Sequence, residues 1–413
     1  MAEGKLIFVD ASPQPGQVDI QIGGDFNLGA LAARIGYAVK NVQAKRLSVD
    51  SSGSIFSQFN AMEVVRSELH RVFMGLKNLR VTAIVTAERT EEYGQLGRFD
   101  AEEFAADNII ILRNALDQER RRRTLEILKS RGNYHHKGEF PFSITADEDI
   151  IFIPLAKTAL DQKSSTKRIS SGNVVLDEMC GGAQLSCYPD TQVAAKPCLL
   201  PCFAMTNENP NKRSLYFAYE ESRKQLTRNA AGWGMDFEKL EQKGKLIIIC
   251  RYPESVPVED HLLLMEKEIT DYKPTRIAVD SLSALERMTN GKSFREFVIG
   301  LTSFIEKKQI VGLFSSTTSS LMGGGSVTDE HVSTITDTII LLRYVEIFGE
   351  IRRGVLVLKM RGSQHDKGIR EYQIDNKGMH IGAQFHGITG ILSGNPVQTP
   401  QKDVDRIATL FND

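Results

Sequence analysis

Two aspartates stand where a phosphate-handling site would need them. Asp50 ends the apolar run "RLSVDS" and Asp280 ends "RIAVDS", and each is followed by serine. A carboxylate closing a buried strand is what a nucleotide-hydrolysing fold uses to hold Mg2+ or its water. Upstream of Asp280, "SLYFAY" runs directly into Glu220 and Glu221. A carboxylate there can orient a water or take a hydroxyl proton during phosphoryl transfer, whereas a glutamate opening a helix would only complement its dipole. Asp280 is the first candidate Mg2+ contact and Glu220 the second. A third set is cationic. "KMRGSQHDK" (359–367) and "KSRGNYHHK" (129–137) place Lys, Arg and His at close intervals. Such a stretch can present cations to a phosphate, in the same chain or in a neighbouring subunit.

These sets come in pairs because the chain is written twice. Asp50 and Asp280, Asp107 and Asp337, Arg131 and Arg361, and His135 and His365 are each 230 positions apart. A constant offset over this length means two homologous domains. In each copy, short β-branched runs alternate with helical patterns. "AMEVVRSELHRVFMGLKN" (Ala61–Asn78) sets Val65, Leu69, Val72 and Leu76 on one helical face. Each copy then closes in two long strands around a turn. The pattern predicts an α/β fold with a mainly parallel sheet flanked by helices, twice over. The expected organisation is a first domain over 1–156, a Ser/Lys-rich linker over 157–173, a second domain over 174–395 and a polar tail over 396–413 containing Pro396 and Pro400. The first copy has no counterpart of the strand and helix at Ser214–Gly232, so it reads as truncated.

Composition excludes several classes. Charged residues make up 25% of the chain and the formal net charge is −1, so there is no basic excess to hold nucleic acid. That weighs against a strand-exchange protein, although Arg120–Arg123 form a local basic arm. No apolar run approaches a membrane span, and "MAEGKLIFVDASP" lacks a signal-peptide pattern, which predicts a cytoplasmic protein. Five cysteines without paired C-x-x-C spacing form neither a disulfide framework nor a zinc ribbon.

The motifs "DEMCGG", "FAYEESR", "WGMDFE", "RIAVDSLSAL", "HVSTITDTIILL" and "KMRGSQHDK" resemble the KaiC family of circadian-clock proteins, which are tandem RecA-like P-loop ATPases. The resemblance implies a homohexameric ring with ATP and Mg2+ at subunit interfaces and slow ATPase activity. It also implies a Ser/Thr autokinase and autophosphatase in the second domain. KaiA would engage the C-terminal tail and KaiB the first domain. Residue by residue, Ser333 and Thr334 match the phosphoacceptors, and Glu220 and Glu221 match the catalytic glutamate and its neighbour. Asp280 and Asp50 match the Mg2+-associated acids. Trp233 matches an adenine-side residue. Lys359, Met360, Arg361, Ser363, His365 and Lys367 match nucleotide contacts across the interface, and Lys129, Arg131 and His135 match the first-domain set. At the same offset, Ser333 and Thr334 fall on Glu103 and Phe104, so the first copy has no acceptors there.

One stretch departs from the pattern. Neither half contains G-x-x-x-x-G-K-[ST], and the place for it holds "AQLSCYPDTQVAAKPCLLPCF" (Ala183–Phe203). Reading Pro189–Cys198 from the third base of each codon permits G-(Y/H)-T-G-G-G-K-T-L, a complete phosphate loop. Two compensating frame changes would account for the segment. As written, its prolines suit neither strand nor helix, which predicts a poorly packed second domain, weak or absent hexamers and poor MgATP binding. The competing reading is a catalytically inactive remnant that only assembles or binds partners.

Overall fold

The computed structural model describes residues 6–10, 29–51, 53, 62–89, 91–94, 106–117, 120–145, 149–153, 168–181, 185–186, 191–194, 199–205, 212–316, 336–347, 349–392 and 396–398. The chain divides into two compact units, Met1–Phe142 and Ser143–Asp413.

In the N-terminal unit, α1 (Gly29–Val42), β1 (Arg46–Val49), α2 (Met62–Asn78) and β2 (Thr82–Val85) form a small α/β layer. β1 and β2 pair in parallel, Arg46 opposite Thr82 through Val49 opposite Val85. The helical spacing expected over 61–78 is realised in α2, where Leu69 and Leu76 are buried. Leu76 packs with Ile35 and Val39 of α1 against Leu47, Ala83 and Val85 of the strands. The antiparallel hairpin β3 (Asn108–Asp117) and β4 (Arg120–Ser130) follows, then β5 (Glu139–Thr145).

The C-terminal unit begins with β6 (Asp149–Phe152), β7 (Arg168–Ile169), α3 (Val174–Met179), β8 (Leu185–Ser186), β9 (Thr191–Ala194) and α4 (Leu199–Met205). It continues with β10 (Ser214–Ala218), α5 (Arg223–Gly232), α6 (Phe237–Gln242), β11 (Leu246–Cys250), α7 (Val258–Tyr272), β12 (Arg276–Asp280), α8 (Leu282–Glu286), α9 (Gly291–Lys307) and β13 (Val311–Ser316). It closes with β14 (Thr338–Ile347), β15 (Glu350–Met360), β16 (Arg370–Asp375) and β17 (Gly378–Gln384). Its main sheet runs β11-β10-β12-β13-β9-β14-β15-β16-β17. The strands from β11 to β14 are parallel and the last three antiparallel. Strand periodicity sends alternate residues to two cores. Leu215, Phe217, Ile277 and Val279 meet α7, α8 and α9 on one face, while Tyr216, Ala218 and Ala278 meet α3 to α6 on the other. Helices on both faces of a mainly parallel sheet are the architecture that the alternating pattern predicts.

The duplication is visible element by element. At the same offset, α1 corresponds to α7, β1 to β12, α2 to α9, β2 to β13, and the β3–β4 hairpin to β14–β15. Both hairpins slip register at matching places, between Ile109 and Ile110 and between Ile339 and Ile340. One difference is large. Ile110 and Leu112 are 60% and 56% exposed, whereas their counterparts Ile340 and Leu342 are 0% and 4% exposed, under the core that includes α3 and α4. Among the described residues, the N-terminal unit has no equivalent of that layer.

Residues 183–203 differ from expectation where they are described. β9 completes the sheet between β13 and β14, parallel to both. α4 buries Leu199, Leu200, Phe203 and Ala204. Pro201 lies in the first turn of α4, where a backbone N–H has no intrahelical partner to lose. The segment as written therefore forms both a strand and a helix. Pro189 and Pro197, most of the expected linker, and the tail beyond residue 398 lie outside the described residues.

Candidate functional site

The parallel strands of the C-terminal unit end at one edge, and the carboxylates gather there. Ala218 is level with Asp280 across β10 and β12, and Ser316 is level with Ala194 across β13 and β9. Residues just past these ends share the crevice beyond the carboxyl ends of the strands, where ligands bind in open α/β sheets. The positions there, among the described residues, are Glu220, Glu221, Asp280 and Ser316.

Asp280 is buried, and each carboxylate oxygen accepts a hydrogen bond. Ser315 Oγ donates to Oδ1 at 2.7 Å and Tyr216 OH donates to Oδ2 at 3.3 Å. Burial first, and then the charge of Asp280, hold the Tyr216 phenol far above its usual range, so it remains a donor. The backbone N–H of Tyr219 donates to the Asp280 carbonyl at 2.6 Å, which ties the start of the Glu220–Glu221 turn to β12. Glu220 Oε1 accepts from Arg287 Nη2 at 2.6 Å, and Glu221 Oε2 accepts from Asn229 Nδ2 of α5 at 3.4 Å. Ser222, not a glutamate, caps α5, its hydroxyl accepting from the Gln225 N–H. This arrangement leaves both glutamates at the strand end rather than inside the helix. Trp233 closes α5 and is half-buried against the core. In the N-terminal unit, Asp50 accepts from Thr86 Oγ1 at 2.5 Å. The Asp–Ser peptide is cis in both copies.

Among the described residues, no group of three or more His, Cys, Asp or Glu could cage a metal. Mg2+ that arrives with a nucleotide needs no cage, because it keeps waters and phosphate oxygens and takes one or two carboxylates. Asp280, fixed at a strand end, fits that demand. Glu220 is engaged by Arg287 and fits it less well.

The cationic set lies elsewhere. β15 is four strand positions from β12, about 19 Å at the usual spacing of ~4.8 Å. It also runs opposite to the parallel strands, so residues 361–367 leave toward their amino ends, away from Glu220 and Asp280. Lys359 Nζ donates to the Thr336 carbonyl at 2.6 Å, and Arg361 Nη1 meets Asp337 Oδ1 at 3.3 Å. Both thus hold the start of β14, directly after 333–334. Ser333 and Thr334 themselves lie outside the described residues. The Arg361 N–H also donates to the Asp337 carbonyl at 2.9 Å, and Arg131 repeats the bond to Asp107 at 2.9 Å. Arg131 Nη1 reaches Asp107 Oδ1 at 3.1 Å; Lys129 precedes it on β4 and His135 follows it in the connection to β5. The Asp366 N–H donates to the Met179 carbonyl at 2.7 Å, and Gly181 lies so close that a Cβ there would clash with the Gln364 carbonyl oxygen. "DEMCGG" and "QHDK" are therefore neighbours, with Ser363 and His365 half-buried beside them and Lys367 exposed. Met360 is buried in the core, so its side chain is a packing residue and only its backbone could meet a ligand.

The structure thus brings Glu220, Glu221 and Asp280 together, and separately Lys359, Arg361, Ser363, His365 and Lys367. The sequence reading missed Tyr216, Ser315 and Arg287. A tyrosine inside the apolar strand "SLYFAY" was the signal for the first.

The model of the KaiC ATPase family matches residues 1–157 and 194–385. The chain belongs to the KaiC family. The match leaves out 158–193 and resumes inside β9. A circadian clock protein KaiC3 from a Synechocystis strain is 54% identical over 415 residues, all of this chain and 82% of the relative. The circadian clock oscillator protein KaiC of Thermosynechococcus vestitus is 50% identical over 99% of this chain and 79% of its own length. The oscillator protein of Synechococcus elongatus is 50% identical over 96% and 76%. The fold is therefore RecA-like, in an ATPase family. Among the described residues, no helix is long and apolar enough to cross a membrane.

Proposed function

We propose that this chain acts as a KaiC-type clock ATPase and Ser/Thr autokinase and autophosphatase, with MgATP held between copies of a homohexameric ring. One observation carries the reading. The acids Glu220, Glu221 and Asp280 and the cations Lys359, Arg361, His365 and Lys367 belong to different edges of one sheet. A single nucleotide meets both only when a second copy supplies the other edge. Asp280 then holds the Mg2+ of the nucleotide, and Glu220 takes the proton from the attacking hydroxyl or water once Arg287 releases it. Ser333 and Thr334 receive the phosphoryl group, and Trp233 lies on the adenine side. Asp50, Lys129, Arg131 and His135 make the corresponding site of the first copy. KaiA engages the tail and KaiB the N-terminal unit, both on family grounds.

A second reading has its own support. The connection between β9 and α4 offers Lys196 without the glycines of a phosphate loop. Losing roughly 4 kcal/mol of phosphate contacts weakens binding about a thousandfold. In that reading the chain assembles or binds partners without turning over ATP. Labelled ATP and phosphopeptide mapping separate the two, applied to this chain and to one carrying the alternate frame over 183–203. Label in the repaired chain alone supports the second reading; the kinase reading predicts label on Ser333 and Thr334 in both chains. A repaired chain that forms rings and binds no ATP would refute it.

A further inference from the structure

The N-terminal unit contains a buried ionic cluster that the nucleotide chemistry does not use. Arg113 on β3 is 8% exposed. Its Nη2 pairs with Glu126 Oε2 of β4 at 2.6 Å, and its Nη1 faces Glu139 Oε1 of β5 at 3.5 Å. Thr124 Oγ1 donates to the other Glu139 oxygen at 2.6 Å. A third side of the guanidinium is turned to a different part of the chain. Arg113 Nε donates to the Glu92 carbonyl at 3.2 Å, and the Tyr93 ring covers the guanidinium carbon at 5.2 Å. Tyr93 OH reaches Glu139 Oε2 at 3.5 Å, the Asn114 N–H donates to Glu92 Oε2 at 3.3 Å, and Arg121 meets Glu92 at 4.0 Å. Residues 91–94 are thus an exposed strap lying over a buried arginine.

The strap continues the strand beside Asp50. Thr86, directly after β2, donates to Asp50 Oδ1 at 2.5 Å. Only a few residues separate that hydroxyl from Glu92.

The second copy keeps the arginine and loses its partners. At the matching positions stand Arg343 for Arg113, Gly354 for Thr124, Leu356 for Glu126 and Ile369 for Glu139. The strap positions Glu92 and Tyr93 become Met322 and Gly323. Leu356 and Ile369 join an apolar cluster with Ile339 and Leu341 there. A guanidinium fork that serves two strands and a strap at once is a specific use of arginine. Its presence in one copy alone marks a task that the copies do not share.

We propose that Arg113 is the hub of an ionic latch that clamps the 91–94 strap to the β3–β4–β5 sheet and so fixes the chain that places Thr86 on Asp50. It is a positioning residue, acting on the Asp50 edge through the backbone between Glu92 and Thr86. The residue types at the matching positions of the second copy, Met322, Gly323, Gly354, Leu356 and Ile369, cannot supply these ionic contacts. The latch stands on N-terminal-unit geometry alone, whatever the nucleotide chemistry proves to be.

Arg113→Met removes the charge and keeps the length of the side chain. Amide exchange in the full chain should then rise at least about tenfold over 86–94 and at Asn114, with the β3–β4 ladder around Ile111 unchanged. Tyr93 supplies a readout with opposite signs for an open and a closed strap. Its phenol is raised by burial first and then by Glu139, while Arg113 lowers it. If the strap lifts, Tyr93 ionises closer to an ordinary tyrosine. If the strap stays down, losing the cation raises the phenol further. Ultraviolet difference titration, with Tyr93→Phe in each background as the blank, reads the direction. Where Arg113→Met fails to fold, Glu92→Ala at the exposed strap should give the same rise in exchange at Asn114 and 86–94. Unchanged exchange in the folded variant, or an upward move of Tyr93 in Arg113→Met, would overturn the latch.

Discussion

Replacing Phe203 by alanine tests whether the unusual stretch before Ser214 is a working part of the C-terminal unit. Phe203 is fully buried in α4, among the core residues that include Tyr216, Leu313 and Ile340. The Arg276 guanidinium sits 5.2 Å from its ring centre, and Arg276 Nη1 donates to the Phe203 carbonyl at 2.9 Å. Burial lowers the Arg276 pKa to about 10, so this cation is largely out of water. Truncating a buried phenylalanine to alanine costs about 3–5 kcal/mol through lost transfer energy and the cavity left behind. Losing a desolvated cation–π contact adds about 1–2 kcal/mol at most. A loss near 4 kcal/mol changes the folding equilibrium about a thousandfold. With a urea slope of about 3 kcal/mol per molar, the midpoint should fall by a little over about 1 M. Trp233 is the single tryptophan and packs against the same core, so its fluorescence follows this unit. A loss below about 1 kcal/mol would mean that α4 does not pack as described and that 183–203 is not integrated.

Three further outcomes follow from the geometry. Gly181→Ala puts a Cβ at a φ of +88° against the Gln364 carbonyl; it should cost at least about 1 kcal/mol and speed exchange of the Asp366 amide, whereas an unchanged amide would refute the contact. The Asp366 carboxyl is lowered chiefly by the Gly368 N–H, then by Arg370 and His365. A lowered acid stabilises the fold above its unfolded pKa and loses that contribution as pH falls through the folded value, so the Tm gap between the wild type and Asp366→Asn should be present at pH 7 and close below about pH 4; a gap independent of pH would contradict this. Tyr216→Phe should leave the fold intact but remove a donor to Asp280, costing about 1–3 kcal/mol, read by urea titration; no loss would mean that Asp280 does not depend on that bond.

Much of this molecule can be read from residue order because the sequence repeats itself. The offset that links Asp50 to Asp280 also links the strands and hairpins, down to the register slip at Ile109 and Ile339. Asp280 and Glu220 are legible because an apolar run that ends in an acid marks a strand end. Pairings that depend on distant parts of the chain are not legible. Nothing in the spacing joins Tyr93 to Glu139, or Arg113 to the Glu92 carbonyl. Met360 shows a different limit. Its place among Lys359 and Arg361 marks it as a ligand contact, yet strand alternation turns its side chain to the core. Residues 183–203 show that local propensity yields to position, because a strand of "TQVA" forms where the sheet between β13 and β14 needs one.

On the proposed function, one nucleotide site draws its acids and its cations from two copies. Subunit mixing in the chain with the alternate frame restored over 183–203 tests this most directly. One partner carries Glu220→Gln and Asp280→Asn, the other Lys359→Ala and Arg361→Ala, and ATP hydrolysis with label at Ser333 and Thr334 is followed in each and in the mixture. We expect no label at Ser333 or Thr334 in either variant alone and its recovery on mixing, because the intact acid edge of the second then faces the intact cation edge of the first. Rings that mix fully and stay unlabelled, or a monomer of the restored chain that turns over ATP by itself, would contradict the proposal.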